Sequence, residues 1–185
     1  MKRVFFGISL PSKIQRKIYE LATDLAIPKA RITPAENLHL TLRFIGNAND
    51  EQIEFFKRRL EKACKKFKPF EIRLGEVGAF SSIKKARVVW IGISVGGEQI
   101  KELAWETEKA ARKLGFKEEK RFHPHITFAR SKFPLDIINH VESLEEEAKK
   151  LFGKSVKVKK ITLFESKLSS SAAEYLVLHE FTLAG

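Results

Sequence analysis

LHLTLRF, residues 38–44, and HPHITFAR, residues 123–130, decide how this chain of 185 residues is read. In the first stretch Leu38, Leu40, Leu42 and Phe44 alternate with His39, Thr41 and Arg43. A strand sends successive side chains to opposite faces, so one face is wholly apolar and must be buried. The other presents an imidazole, a hydroxyl and a guanidinium together. In the second stretch Ile126 and Phe128 take the apolar side, and His123, His125 and Thr127 share the polar one. Each stretch therefore offers a His-x-Thr pair from one strand face, the two side chains about 7 Å apart along the backbone.

Outward from these stretches, hydrophobic periodicity predicts a repeated order of elements. A strand over Val4–Ser9 precedes a helix over Ser12–Ala26, whose apolar Ile14, Ile18, Leu21 and Leu25 have helical spacing. The strand over Leu38–Ile45 leads to a helix over Asp50–Phe67, capped by Asn49 or Asp50, and to a strand over Phe70–Phe80 bent at Gly75 or Gly78. The order then restarts. A strand over Arg87–Val95, a helix over Glu98–Leu114, a strand over His123–Ala129, a helix over Leu135–Leu151 and a strand over Val156–Ser166 follow. After the turn-like Leu168–Ala173, Tyr175–Leu183 forms a last strand. Moving the first His-x-Thr onto the second takes a shift of 86 residues (125 − 39). The same shift sets Val4 on Trp90, Asp50 on Asp136 and Ile72 on Val158. We expect an α+β domain over residues 1–185, bilobal by internal duplication of β-α-β-α-β units, with a cleft between facing lobes. The pseudo-repeats run over about 1–82 and 86–167, with a final strand at 174–183.

Two imidazoles from opposing lobes suit phosphoryl transfer with proton management. One takes a proton from the attacking oxygen and the other gives one to the departing oxygen; an unperturbed pKa of about 6.5 serves both roles. Threonine hydroxyls donate to non-bridging phosphate oxygens, where transition-state charge gathers. The two halves present nearly equivalent sets, so the sequence does not assign acid and base.

Composition narrows the alternatives. Hydrophobic residues make up 43% of the chain, enough for a core. No apolar run approaches the roughly 18–20 residues that span a bilayer. The opening MKRVFFGISLPSK reads as a first strand rather than a signal peptide, so a cytoplasmic protein is expected. Cys64 is the only cysteine; it leaves no internal disulfide or cysteine zinc site, and its helix spacing makes it a buried small hydrophobe. A formal charge of +12 favours a polyanionic partner, RNA first, although a charged surface alone would also produce it. His123 and His125 share a strand face, yet Glu118 and Glu119 lack ligand spacing, so no metal is expected and His123 becomes a rim residue near phosphate. GISVGGEQI lacks phosphate-loop spacing, and no cofactor is expected. Lys120 and Arg121, just before the second His strand, are better placed to guide RNA than Lys157 and Lys159 of VKVKK.

HLTLRFIG and FHPHITFAR resemble the two HxTx motifs of the 2H phosphoesterases. The chain is most similar to their RNA 2′,3′-cyclic phosphodiesterases, also called 2′-5′ RNA ligase-like proteins. The similarity runs from VFFGISLP through RVVWIGI to the second motif. It implies two antiparallel sheets lining a central cleft and hydrolysis of a terminal 2′,3′-cyclic phosphate to a 2′-phosphate without metal. It further implies His39 as proton donor, His125 as base, Thr41 and Thr127 as phosphate ligands, and Arg130 as a substrate contact. Strict alternation turns Arg130 away from His125 unless the strand ends or twists before it. Phe44 shares the leucines' parity and is expected in the core; Phe122 is a candidate for stacking on a base. RNA with cyclic phosphate ends is the expected partner, with tRNA fragments among the candidates, and a monomer is expected. Two rivals remain: 2′-5′ end joining by the reverse chemistry, and a binding module whose cleft merely holds a phosphate.

Overall fold

The computed structural model describes residues 1–119, 121–142, 155–168 and 173–185. Among the described residues, nine strands form one antiparallel sheet: β1 (Lys2–Ser9), β2 (Ala30–Ile32), β3 (His39–Ala48), β4 (Phe70–Phe80), β5 (Ala86–Val95), β6 (His125–Leu135), β7 (Ser155–Val158), β8 (Lys160–Leu168) and β9 (Ala173–Thr182). Their order is β7-β4-β5-β6-β3-β1-β8-β9, with β2 added on β6. The expected pair of sheets is thus two half-sheets joined where β3 meets β6, at the single registered pair Leu40↔Ile126. The order is symmetric about that seam: β5 flanks β6 as β1 flanks β3, and β4 lies outside β5 as β8 lies outside β1. Strands are exchanged in the process. β4, from the first half of the sequence, pairs with β5 and β7, whereas β8, from the second half, pairs with β1.

Helices α1 (Ser12–Asp24), α2 (Asp50–Cys64) and α3 (Gly97–Lys113) cover the sheet. Each buries a stripe at three- and four-residue spacing, Ile53, Phe56, Leu60 and Ala63 in α2 for example, and α3 lies against β3. Asn49 caps α2: its side chain accepts from the Gln52 backbone N–H while the Gln52 side chain accepts from the Asn49 N–H. Cys64 is buried on α2, and that burial pushes its thiol up to about 12.

Several boundaries differ from the sequence expectation for physical reasons. β6 continues to Leu135, because Leu135 pairs with Ala86, so the helix expected from Leu135 begins later and is seen over 138–142. The rest of that helix, and residues 169–172 of the expected turn, lie outside the described residues. Lys159 interrupts the expected strand Val156–Ser166, splitting β7 from β8. The bend expected at Gly75 or Gly78 is a shift of register in β4 between Leu74 and Val77. No helix among the described residues is long and apolar enough to cross a membrane.

Candidate active site

The seam between half-sheets sets the two His-x-Thr pairs against each other. With Leu40 opposite Ile126 in antiparallel register, continuing one residue either way puts His39 opposite Thr127 and Thr41 opposite His125. The histidines are then diagonal neighbours, with backbones about 7–8 Å apart. Each imidazole is held in the same way. His39 Nδ1 lies 2.7 Å from the Asn37 carbonyl oxygen, and His125 Nδ1 lies 2.6 Å from that of His123. A carbonyl only accepts, so Nδ1 carries the proton and Nε2 is the nitrogen left to exchange one. Asn37 is itself fixed, since its side chain donates to the Ala173 carbonyl at 2.7 Å. The Thr41 hydroxyl lies 2.8 Å from His39 Nε2 and donates to it when the ring is neutral.

Aromatic side chains enclose both rings. Phe5, Tyr175 and Phe164 stand 4.8, 5.2 and 6.0 Å from His39. Phe80 and Trp90 stand 5.1 and 5.9 Å from His125. Gly7 faces Thr41 across β1, and a side chain there would come within 2.9 Å of the Leu40 carbonyl and 3.3 Å of the His39 ring. Burial among these groups lowers the His39 pKa to about 4, opposed by its hydrogen bond to Asn37 and reinforced by the charges of Arg130 and His125. His125 is also lowered, first by burial and then by the charges of His123 and Arg130 against its bond to the His123 carbonyl. Both shifts favour the neutral rings in the free protein.

A bulge just beyond each His-x-Thr pair reassigns the next side chains. Gly7 faces Thr41 but Phe6 faces Arg43, so Leu42 is an extra residue in β3. Trp90 faces Thr127 but Val89 faces Ala129, so Phe128 is the extra residue in β6. Beyond such a bulge the alternation changes sides. Arg43, expected beside His39 on the cleft face, is corrected by this: it is 8% exposed and points into the helix layer. Its Nε donates to Glu108 of α3 at 2.5 Å, and its other nitrogens reach Glu119 at 3.2 Å and the carbonyls of Phe44 and Lys117. Phe44, expected in the core, comes out instead. It is 40% exposed, stacked on Phe5 with Arg3 over its ring. The same change brings Arg130 onto the face of His125, where its charge is felt by both histidines.

The remaining expected residues are dispersed. His123 is exposed, with its ring 4.8 Å from Trp90 and stacked 6.2 Å from His125. Arg121 is exposed four residues before His125, and Lys120 lies outside the described residues. Phe122 lines a cavity of about 300 Å³ with Leu42, Arg43 and Trp105, among the residues of the helix layer. Lys157 lies on β7, three strands from β6. Sequence reasoning missed Tyr175 and Arg31. Arg31 lies directly opposite Arg130 in the β2–β6 pair, and the three-residue β2 is too short to leave a periodic signal. Among the described residues, no three His, Cys, Asp or Glu side chains converge as a metal site would require.

Comparison with known proteins finds similar sequences and similar folds. The family described as LigT-like phosphoesterase matches twice, over residues 8–90 and 91–173. The RNA 2′,3′-cyclic phosphodiesterase of Aquifex aeolicus is 35% identical over 88% of this chain and 86% of its own. That of Aeropyrum pernix is 36% identical over 80% and 84%. Among solved structures, E. coli LigT complexed with 3′-AMP superposes with a TM-score of 0.77 at 26% identity, covering 100% of this chain and 99% of that one.

Proposed function

The chain belongs to the LigT-like phosphoesterase family, and from that membership we infer that it is an RNA 2′,3′-cyclic phosphodiesterase that opens the cyclic end to a 2′-phosphate. The observation that carries the reading is the facing pair of imidazoles, each with Nδ1 tied to a backbone carbonyl and Nε2 left for proton exchange. His125 Nε2 takes a proton from water as its oxygen attacks phosphorus. The bond from phosphorus to the 3′ oxygen breaks on the opposite side, and His39, which takes up a proton on Nε2 when the phosphate anion binds, gives that proton to the departing oxygen. Thr41, Thr127 and Arg130 stabilise charge on the non-bridging oxygens. Thr41 has two settings: it donates to His39 Nε2 while the ring is neutral, and it turns to phosphate once Nε2 is protonated. We take RNA ends, tRNA fragments among them, as substrates of a monomer acting in the cytoplasm without metal. The charge of +12 supports RNA over a small ester.

The test is to incubate the protein, in excess chelator, with an oligoribonucleotide ending in a 2′,3′-cyclic phosphate and to map the product ends. A 2′-phosphate is the expected product. A 3′-phosphate would reverse the leaving oxygen, and binding without turnover would reduce the cleft to a recognition site.

A pH profile tests the proton roles independently. Free-enzyme groups govern kcat/KM, and those of the bound complex govern kcat. Burial holds both histidines below the ordinary histidine value in the free protein, so both limbs of kcat/KM should fall on the acid side of it. A bound phosphate anion favours both imidazolium forms and raises both pKa values. The kcat profile is therefore expected at higher pH than the kcat/KM profile. Coincident profiles would mean that the phosphate does not sit between the histidines.

A further inference from the structure

Beyond the histidines, the pairing of β2 with β6 sets Arg31 directly opposite Arg130, with Ala30 opposite Ser131. Both arginines border two cavities. The smaller, about 150 Å³, also has Thr33, Asn37 and Tyr175 in its walls and so adjoins His39, which Asn37 holds and Tyr175 flanks. The larger, about 430 Å³, is completed by Lys29, Ser131, Lys132 and Phe133. No carboxylate is among the described residues lining either cavity. Phe133 is 66% exposed, a large apolar ring left open to water inside a ring of cations. Cations at strand spacing beside an open aromatic face are what a single nucleic-acid strand needs: charge along its backbone and a platform for its bases.

We propose that the larger cavity binds the nucleotides on the 5′ side of the cyclic end, their phosphodiesters along Arg31, Lys29 and Lys132 and a base on Phe133, while Arg130 stays with the reacting phosphate. The enzyme then selects oligoribonucleotide ends over free cyclic nucleotides. This rests on the phosphodiesterase reading and deepens it.

The experiment compares kcat/KM for a short oligoribonucleotide ending in a 2′,3′-cyclic phosphate with that for adenosine 2′,3′-cyclic phosphate. Wild type runs beside Phe133→Ala and the double variant Lys29→Ala/Lys132→Ala, all three positions being exposed. The ratio of oligonucleotide to mononucleotide kcat/KM is expected to fall about tenfold or more in each. In the lysine variant, the log–log salt dependence for the oligonucleotide should also flatten by about 1.4, from two lost phosphate contacts. An unchanged ratio in both variants would overturn the subsite. A second arm needs no turnover: fluorescence anisotropy of a labelled oligoribonucleotide ending in a 2′-phosphate. If wild type hydrolyses neither substrate, the phosphodiesterase reading fails. Weaker binding by both variants in this arm would still support the strand-binding cavity, and equal binding by all three proteins would sink it.

Discussion

Alanine at His39 or at His125 is expected to lower kcat for opening a cyclic-phosphate RNA end by about 10²–10⁴-fold, the range for a lost general acid or base. The two losses should not add. Acid and base act on one transition state, so the double variant is expected to sit near the slower single variant. Retained affinity should accompany the loss, because Thr41, Thr127 and Arg130 remain to hold the phosphate. Single-turnover rates and product affinity, measured on all three variants, check both parts. Comparable losses of affinity and rate would assign the histidines to binding. The expectation follows from tethering, since each ring offers Nε2 alone, with Nδ1 committed to the Asn37 or His123 carbonyl. Breaking that tether without removing the ring should itself lower the rate, by letting the imidazole turn.

The largest effect on stability is expected at Arg43, on the other side of the same strand. Arg43→Ala leaves Glu108, only 5% exposed, without its closest cation. Removing one partner of a buried ion pair costs about 3–5 kcal/mol. Arg112 still reaches Glu108 at 3.0 Å from the exposed side, which places the expected loss near 3 kcal/mol. Arg43→Ala with Glu108→Leu should recover much of it, because no buried carboxylate is then left unpaired. The pH dependence has a definite sign. Burial pushes the Glu108 carboxyl up, but the hydrogen bond from Arg112 and the nearby charge of Arg43 outweigh it, and the folded value lies below the ordinary one. The network's contribution is complete above the unfolded glutamate value and disappears as pH falls through the lower folded one. The gap between wild type and Arg43→Ala is therefore expected to be widest near neutrality and to close in acid. Urea unfolding across that range measures it. A gap independent of pH would place the loss in packing alone.

Much of this was legible in the sequence where the information is local. Strand β4 spans Phe70–Phe80 as expected, α2 is capped at Asn49, and the two His-x-Thr pairs occupy equivalent strands. Parity failed at one point, repeated twice. Reading LHLTLRF as strict alternation puts Arg43 with His39 and Phe44 with the leucines, and the extra Leu42 reverses both. Nothing in seven residues announces the bulge. The hint lay at longer range, in Glu108 on the largely apolar face of α3, a buried carboxylate that needs a cation. Arg130 shows the converse. Alternation excluded it from the cleft, the resemblance placed it there, and the extra Phe128 reconciles the two. Tyr175 and Arg31 depend on which strands become neighbours, a property of topology that no periodicity encodes.

The exchange of β4 and β8 between the half-sheets bears on how such a chain is synthesised and how it arose. When the ribosome has released only the first half, β4 has no strand of that half to pair with, because its neighbours are β5 and β7. The nascent segment must wait for later residues or pair with another copy of itself. A half-length ancestor would have met the same demand by trading this strand with a twin, building the seam and its two histidines from a pair of chains. Joining two such halves in one chain supplies from within the pairing that the strand order requires.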